Sequence, residues 1–369
     1  MDKLFNDSKR KNKNGMEEDL SSIPDWIKNP KFKPNYDFNN KTILITGGGG
    51  FIGSNLALYL QYHYPKARII VFDKFRSGER FENGNLKTLG HFENLIGFTG
   101  EIIVGDIANS ADLKQLNSYS IDFIFHQAAI SDTTAQNQEE VMRVNLNAFR
   151  DLLKLAKRNG AVMVYASSGA VYGNLPGPHR IGMEAPLNVY GFSKLMMDRL
   201  AEKWRSMEQF PIIGLRYFNV YGPGEYWKGK TASMILQLGL QLLEGKAPRL
   251  FEGSKKIYRD FVFIEDVIQA NLKGAVAGKL SGISGTFNVG TGKARTFYEV
   301  TKILMEKLGI EREIEWIPNP YRHQYQFFTE GDISNTRRDL GYSPAYSLEE
   351  GIGAYLPTIE QIFQEKVAK

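Results

Sequence analysis

The 369-residue chain is 42% hydrophobic and 24% charged, an ordinary balance for a soluble protein with length for one large or two modest domains. It has no cysteine, which excludes disulfides, thiol catalysis and cysteine-ligated zinc or iron–sulfur centres and leaves redox chemistry to a bound cofactor. The net charge of +5 comes from 46 basic residues spread among 41 acidic ones, which points to a polyphosphate ligand rather than nucleic acid, because no aromatic-studded basic module accompanies it. No stretch approaches the ~18–20 apolar residues of a membrane helix. The first twenty residues lack the apolar core of a secretion signal, so the expected location is the cytoplasm.

Residues 1 to about 20 are polar and aperiodic and are expected to be disordered. In 21–40, Pro24, Pro30 and Pro34 alternate with Trp26, Phe32, Tyr36 and Phe38, which suits an extended arm laid on the folded domain or on a neighbouring subunit. KTILITGGGGFIGSN, from Lys41 to Asn55, reads as an apolar strand, a glycine turn and an apolar helix. Such a turn brings backbone N–H groups to a pyrophosphate at the positive end of a helix dipole. Gly47, Gly50 and Gly53 are spaced G-x-x-G-x-x-G, which resembles the extended short-chain dehydrogenase/reductase group acting on nucleotide sugars.

RIIVFD supplies a second strand ending in Asp73, where an acid meets the adenosine ribose hydroxyls. Lys74, Arg76 and Arg80 follow at once, a charge pattern that favours NADP over NAD because cations there neutralise a 2′-phosphate. EIIVGDI is a third strand, and the resemblance places Asp106 and Ile107 beside adenine. IDFIFH is a fourth, ending in a small-residue turn whose Gln127, Ala128, Ala129 and Ser131 face the cofactor. VMRVNLNAFRDLLKLAKRNG has helical periodicity closed by Gly160, and Asn145 on it matches a cofactor-side asparagine of the group. AVMVYASSGAVYG is a buried fifth strand, so the fold class is α/β, a Rossmann doubly wound parallel sheet.

Ser168 lies at the end of that strand, and NVYGFSK sets Tyr190 and Lys194 four residues apart, on one face of a helix. A nearby ammonium is expected to lower the tyrosine pKa, Lys194 also to bond the nicotinamide ribose, and Ser168 to hydrogen-bond the substrate oxygen. Tyr-x-x-x-Lys alone is weak evidence; after the glycine turn, the acid of strand two and SSGAVYG, it reads as a dehydrogenase triad. PIIGLRYF is a sixth strand left at Asn219. This divides the chain into an extension, 1–40, a cofactor domain, 41–218, and a smaller C-terminal α/β substrate-binding region, 219–369, with some segments returning to the cofactor domain.

RYFNVYGP with EYWKGKTAS, PRLFEGSKKIYRDFVFIEDV, LNVYGFSK and QYQFFT resembles the ADP-L-glycero-D-manno-heptose 6-epimerase family, from about Lys41 to the C-terminal helix. The resemblance implies that Tyr190 and Lys228 transfer protons on opposite faces of the sugar. It implies that Asn219, Phe251, Glu252, Gly253, Ser254, Arg259 and Tyr325 contact ADP-heptose, and that Val220, Phe51 and Ile52 touch NADP. It further implies a homo-oligomer, a pentamer, in lipopolysaccharide core-heptose synthesis. Two positions depart from the family pattern. Lys230 stands where Lys-Gly-Ser has serine and is a candidate phosphate partner, and Gln237 stands where a substrate-contacting histidine is usual. The five histidines form no helical metal pair, and no metal is expected. The rival enzyme readings are a 4-epimerase or a 4,6-dehydratase of UDP- or dTDP-sugars; elimination needs an acid pair that SSGAVYG does not offer. A non-catalytic NADP-binding scaffold is the alternative from another class.

Overall fold

Alternate residues of each central strand enter two different cores, and this makes the sheet doubly wound. In β1, Thr42–Thr46, Ile43 and Ile45 face one core while Leu44 faces the other. In β4, Phe123–His126, the rings of Phe123 and Phe125 lie opposite Ile124, and in β5, Val162–Ser168, Val162 and Val164 lie opposite Met163 and Tyr165. A strand buried on both faces reads as a near-continuous apolar run, and these do until their carboxyl ends, where Thr46, His126, Ser167 and Ser168 stand. The computed structural model describes residues 23–319 and 326–368 together with the short antiparallel pair Lys9–Lys11 and Glu17–Asp19. Most of the expected disordered start, and Tyr325, lie outside the described residues.

The main sheet has seven parallel strands. With β2 as Arg68–Asp73, β3 as Glu101–Val104, β6 as Ile212–Tyr217, β7 as Asn219–Tyr221, β8 as Arg249–Phe251, β9 as Tyr258–Phe263 and β10 as Gly285–Val289, its order is β10-β6-β5-β4-β1-β2-β3. The order reverses between β1 and β4, the switch point at which open α/β sheets bind ligands. Helix α1, Phe51–His63, packs in the first core, and α3, Ala148–Asn159, and α4, Val189–Met207, pack in the second. Strand β10 crosses from the C-terminal half to pair with β6. Two small sheets complete that half: β9 between β7 and Ala294–Thr296 (β11), and β8 beside Glu315–Ile317 (β12).

The expected continuous helix before Gly160 is interrupted. Gln138–Met142 (α2) is α-helical, Arg143–Asn147 forms a π-turn, and α3 resumes at Ala148, ending on Gly160 at φ 60°. The extra residue of the π-turn rotates Asn145 inward, a placement that helical periodicity does not encode. Among the described residues no helix is long and apolar enough to cross a membrane.

Candidate active site

The glycine turn is built by close approach. A Cβ at Gly47, where φ is 72°, would lie 2.5 Å from the Ala128 nitrogen, and one at Gly53 would lie 2.2 Å from the Gly47 oxygen. Only glycine allows β1, the β4 turn and the start of α1 to converge, and that backbone cradle fits the pyrophosphate of a dinucleotide. Asp73 holds the turn as well: its Oδ2 accepts from Gly49 N at 2.9 Å and its Oδ1 from Phe75 N at 2.7 Å. Burial pushes the Asp73 carboxyl up, and these two bonds act the other way.

A cavity of about 500 Å³ opens along this turn. Gly47, Gly50, Phe51, Ile52, Gly53, Asp73, Lys74, Asp106, Ile107, Gln127, Ala128, Ala129, Ser131 and Val220 line it, and so do Ser168, Tyr190, Lys194, Asn219 and Lys228. The structure thus gathers the glycine turn, the triad and the second lysine at one site. Lys74 Nζ pairs with Asp106 at 3.0 Å.

At the reactive end, Asn188 caps α4 by accepting from Gly191 N at 2.8 Å, which fixes the helix start beside β5. Lys194 Nζ donates to the Ala166 oxygen at 2.7 Å and sits 5.9 Å from the Tyr190 ring centre. Burial lowers the Lys194 pKa to about 8, with Asp198 opposing it. Burial pushes the Tyr190 hydroxyl up, while its hydrogen bond with Ser168 pulls down. The expected lowering of Tyr190 by Lys194 is therefore corrected: desolvation dominates, and the ammonium is turned to a main-chain oxygen. Lys228 Nζ lies 5.5 Å from the Phe51 ring centre, its pKa lowered by burial and raised by Glu225. Glu225 is buried and accepts from Ser233 N at 2.6 Å and Ser233 Oγ at 2.7 Å, anchoring the segment that carries Lys228.

Several expected site residues lie away from the cavity. Arg76 donates to the Trp227 oxygen, and Arg80 is exposed and donates to the Gly84 oxygen at 2.8 Å, so of the three cations after β2 only Lys74 reaches the cavity wall. Asn145 is fully buried and spends its amide on Ile130 N, Ile130 O and Ser193 Oγ, at 2.8, 3.0 and 2.9 Å, tying the β4 turn to α4. Phe251 ends β8 in its separate small sheet, Glu252, Gly253 and Ser254 follow it, and none of the four lines the cavity. Arg259 lies 5.6 Å from the ring of Phe297, itself on the cavity wall. Lys230 is exposed, and Gln237 Nε2 donates to the Ala232 oxygen at 2.7 Å, bracing the Lys228 segment.

Motif reading passes over Lys87 and Glu140, a 2.8 Å ion pair on the cavity wall, and over a buried network behind it. Asp198 accepts from Tyr165 OH, Ser167 Oγ and Arg216 Nε, each at 2.9 Å, and Arg216 Nη1 donates to Glu184 at 2.6 Å. Arg216 is 2% exposed. Asp198 had a signal: it follows Tyr190 and Lys194 in steps of four, on the same helix face.

Residues 43–290 match the NAD dependent epimerase/dehydratase family. Among solved structures, ADP-L-glycero-D-manno-heptose-6-epimerase of Helicobacter pylori is 48% identical, with 89% of this chain and 98% of that one covered at a TM-score of 0.80. UDP-glucuronic acid 4-epimerase from Bacillus cereus, solved with UDP-glucuronic acid and NAD, is 27% identical over 87% of this chain and 99% of its own, at 0.75. UDP-glucose 4-epimerase of Thermotoga maritima, 24% identical over 89% and 100% with a TM-score of 0.75, shares the fold. With the family matched over more than half its length, the chain belongs to the NAD dependent epimerase/dehydratase family.

Proposed function

We propose that this enzyme interconverts ADP-D-glycero-D-manno-heptose and ADP-L-glycero-D-manno-heptose by transient oxidation at C6. One observation carries the reading furthest: Tyr190 and Lys228 line the same cavity as the glycine turn. The 48% identity to the Helicobacter pylori 6-epimerase supports the choice of sugar. The C6 carbon bears an alcohol and no acidic proton, so inversion requires a ketone that can be reduced on its other face. A bound nicotinamide dinucleotide supplies the hydride acceptor, which returns the same hydride. Tyr190 takes or gives the hydroxyl proton in one sugar orientation, and Lys228 does so in the other. Ser168 holds the substrate oxygen, and Lys194 holds the nicotinamide ribose. Because the hydride would be returned to the sugar, turnover should need no added cofactor.

NADP is the preferred cofactor in this reading, supported by Lys74 on the cavity wall beside Asp73; Arg76 and Arg80 lend it no support. A homo-oligomeric cytoplasmic enzyme supplying heptose for lipopolysaccharide core is the setting that fits. The test is to incubate the purified protein with ADP-D-glycero-D-manno-heptose without added cofactor and follow C6 by NMR, identifying the copurifying dinucleotide by mass spectrometry. Formation of the L-glycero epimer is expected. Absence of conversion with dinucleotide bound overturns the sugar assignment and turns attention to UDP-sugar 4-epimerisation or a binding role.

A further inference from the structure

Lys228 sits in the tight turn Tyr226–Thr231, whose Gly229 adopts φ 58°. Lys228, Thr231, Ala232 and Ser233 form one wall of the cavity; the segment after β2, with Lys74, Glu79 and Lys87–Gly90, forms another. The two walls meet at Trp227. Its indole stacks on His91 with ring centres 3.7 Å apart and planes 4° from parallel, its carbonyl accepts from Arg76, and the Arg76 guanidinium lies 5.9 Å from its ring centre.

Both partners of Trp227 are rooted in the dinucleotide turn. His91 N donates to the Gly49 oxygen at 2.9 Å, reinforced by Asn94 Nδ2 at 3.1 Å. Arg76 follows Phe75, whose N–H is held by Asp73, and Asp73 also holds Gly49 N. The imidazole accepts from Glu93 N at its Nδ1, and burial and the Arg76 charge lower its pKa, so a neutral ring faces the guanidinium. A short path therefore runs from the Gly49 backbone through His91 to Trp227 and on to Lys228. Trp227, His91 and Arg76 are each only partly buried, and Trp227 lies outside the continuous hydrophobic cores. A ring contact and one hydrogen bond hold this junction, in contrast to the buried Glu225 that anchors the turn next to it.

We propose that Trp227, gripped by His91 and Arg76, is a latch across the cofactor cavity that retains the nicotinamide dinucleotide and positions Lys228. The role of Lys228 rests on the epimerase reading; retention of dinucleotide does not depend on which sugar is used. Arg76 thus acts on the cofactor through Trp227, as a positioning residue.

The experiment measures exchange of the copurifying dinucleotide against radiolabelled NADP⁺ and, in parallel, NAD⁺, with no sugar present. Trp227→Ala and His91→Ala are expected to speed exchange by about tenfold, the scale of losing one aromatic stack with its polar contact. With substrate, kcat falls while KM for the sugar nucleotide changes little, because Lys228 loses its placement and the sugar contacts remain. His91→Phe, which keeps a flat ring against Trp227, restores slow exchange and kcat; a merely structural defect at residue 91 would not be rescued in this way. Melting temperatures of the Ala and Phe variants at residue 91 are compared so that a fold defect is visible. Unchanged exchange in both Ala variants overturns the latch even if epimerisation is confirmed. Faster exchange in a protein that epimerises a different sugar keeps the latch and revises the substrate. A wild-type chain that holds neither dinucleotide sinks both.

Discussion

At Tyr190 and Lys228 the same force, desolvation, acts on groups of opposite charge type. Burial favours the neutral phenol, which can give a proton, and the neutral amine, which can take one. Tyr190→Phe is expected to slow turnover by about 10²–10⁴-fold with dinucleotide content unchanged, and Lys228→Met by a similar factor; NMR conversion rates and mass-spectrometric cofactor content check both. Full activity in the Lys228 variant would end the two-base scheme. Lys194 makes a separate prediction about stability. Its folded pKa of about 8 lies below its ordinary 10.5, so between those values the unfolded chain binds more protons than the folded one. Wild type should therefore gain stability relative to Lys194→Met as pH rises from 8 to 10, seen as a growing difference in urea midpoint. A flat difference would mean that the ammonium is not desolvated in the folded site.

Helix α4 shows how an element carries chemistry on one side and support on the other. Tyr190, Lys194 and Asp198 succeed one another by four residues, and Asp198 grips Ser167, the neighbour of Ser168, together with Arg216 on β6. Asp198→Asn leaves the Arg216 charge buried with one partner fewer, for a destabilisation of about 3 kcal/mol in urea unfolding. Arg216→Met in the same background should recover part of that loss, since the unpaired charge is then gone. The strands, the glycine turn and the Tyr-x-x-x-Lys pair were legible because each is a local pattern: apolar runs, glycines and a helical step of four. The π-turn at Arg143–Asn147 and the pairing of Arg76 with Trp227 were not. The first changes helical phase without a sequence mark, and the second joins residues 151 positions apart. FEGS was legible as a family motif, but its place beside β12 depends on strand pairing that no local pattern specifies.

Over the whole molecule, two distant segments close on the start of the helix Ile264–Ser281. The arm before β1 lies on α1: Phe32 stacks on Tyr59 with ring centres 5.4 Å apart, and Trp26 stacks on the same ring at 6.3 Å. One step along, Lys31 N donates to Glu265, and Lys31 Nζ pairs with Glu350 at 3.0 Å on the C-terminal helix Leu348–Val367. Tyr346 OH donates to Glu265, while Ala345 N donates to Asp266 Oδ1 at 2.7 Å. Two adjacent buried carboxyls thus receive the chain from both ends, and burial raises the pKa of both, Asp266 to about 7 against backbone bonds that favour its charge. A carboxyl raised from 3.8 to about 7 binds more protons folded than unfolded throughout that interval, so its contribution to stability is lost as pH rises from about 4 to 7. Asp266→Asn keeps a carbonyl for the Ala345 N–H and cannot ionise. The variant should hold a flatter melting temperature between pH 5 and 7.5 than the wild type, which should melt higher at pH 5 than at 7.5 relative to it. Parallel melting curves for the two proteins would place the ionised carboxylate comfortably in the fold and remove Asp266 as a source of acid-side stability; divergence below pH 7 would make this junction of arm, helix and C-terminal loop a pH-sensitive point of the fold.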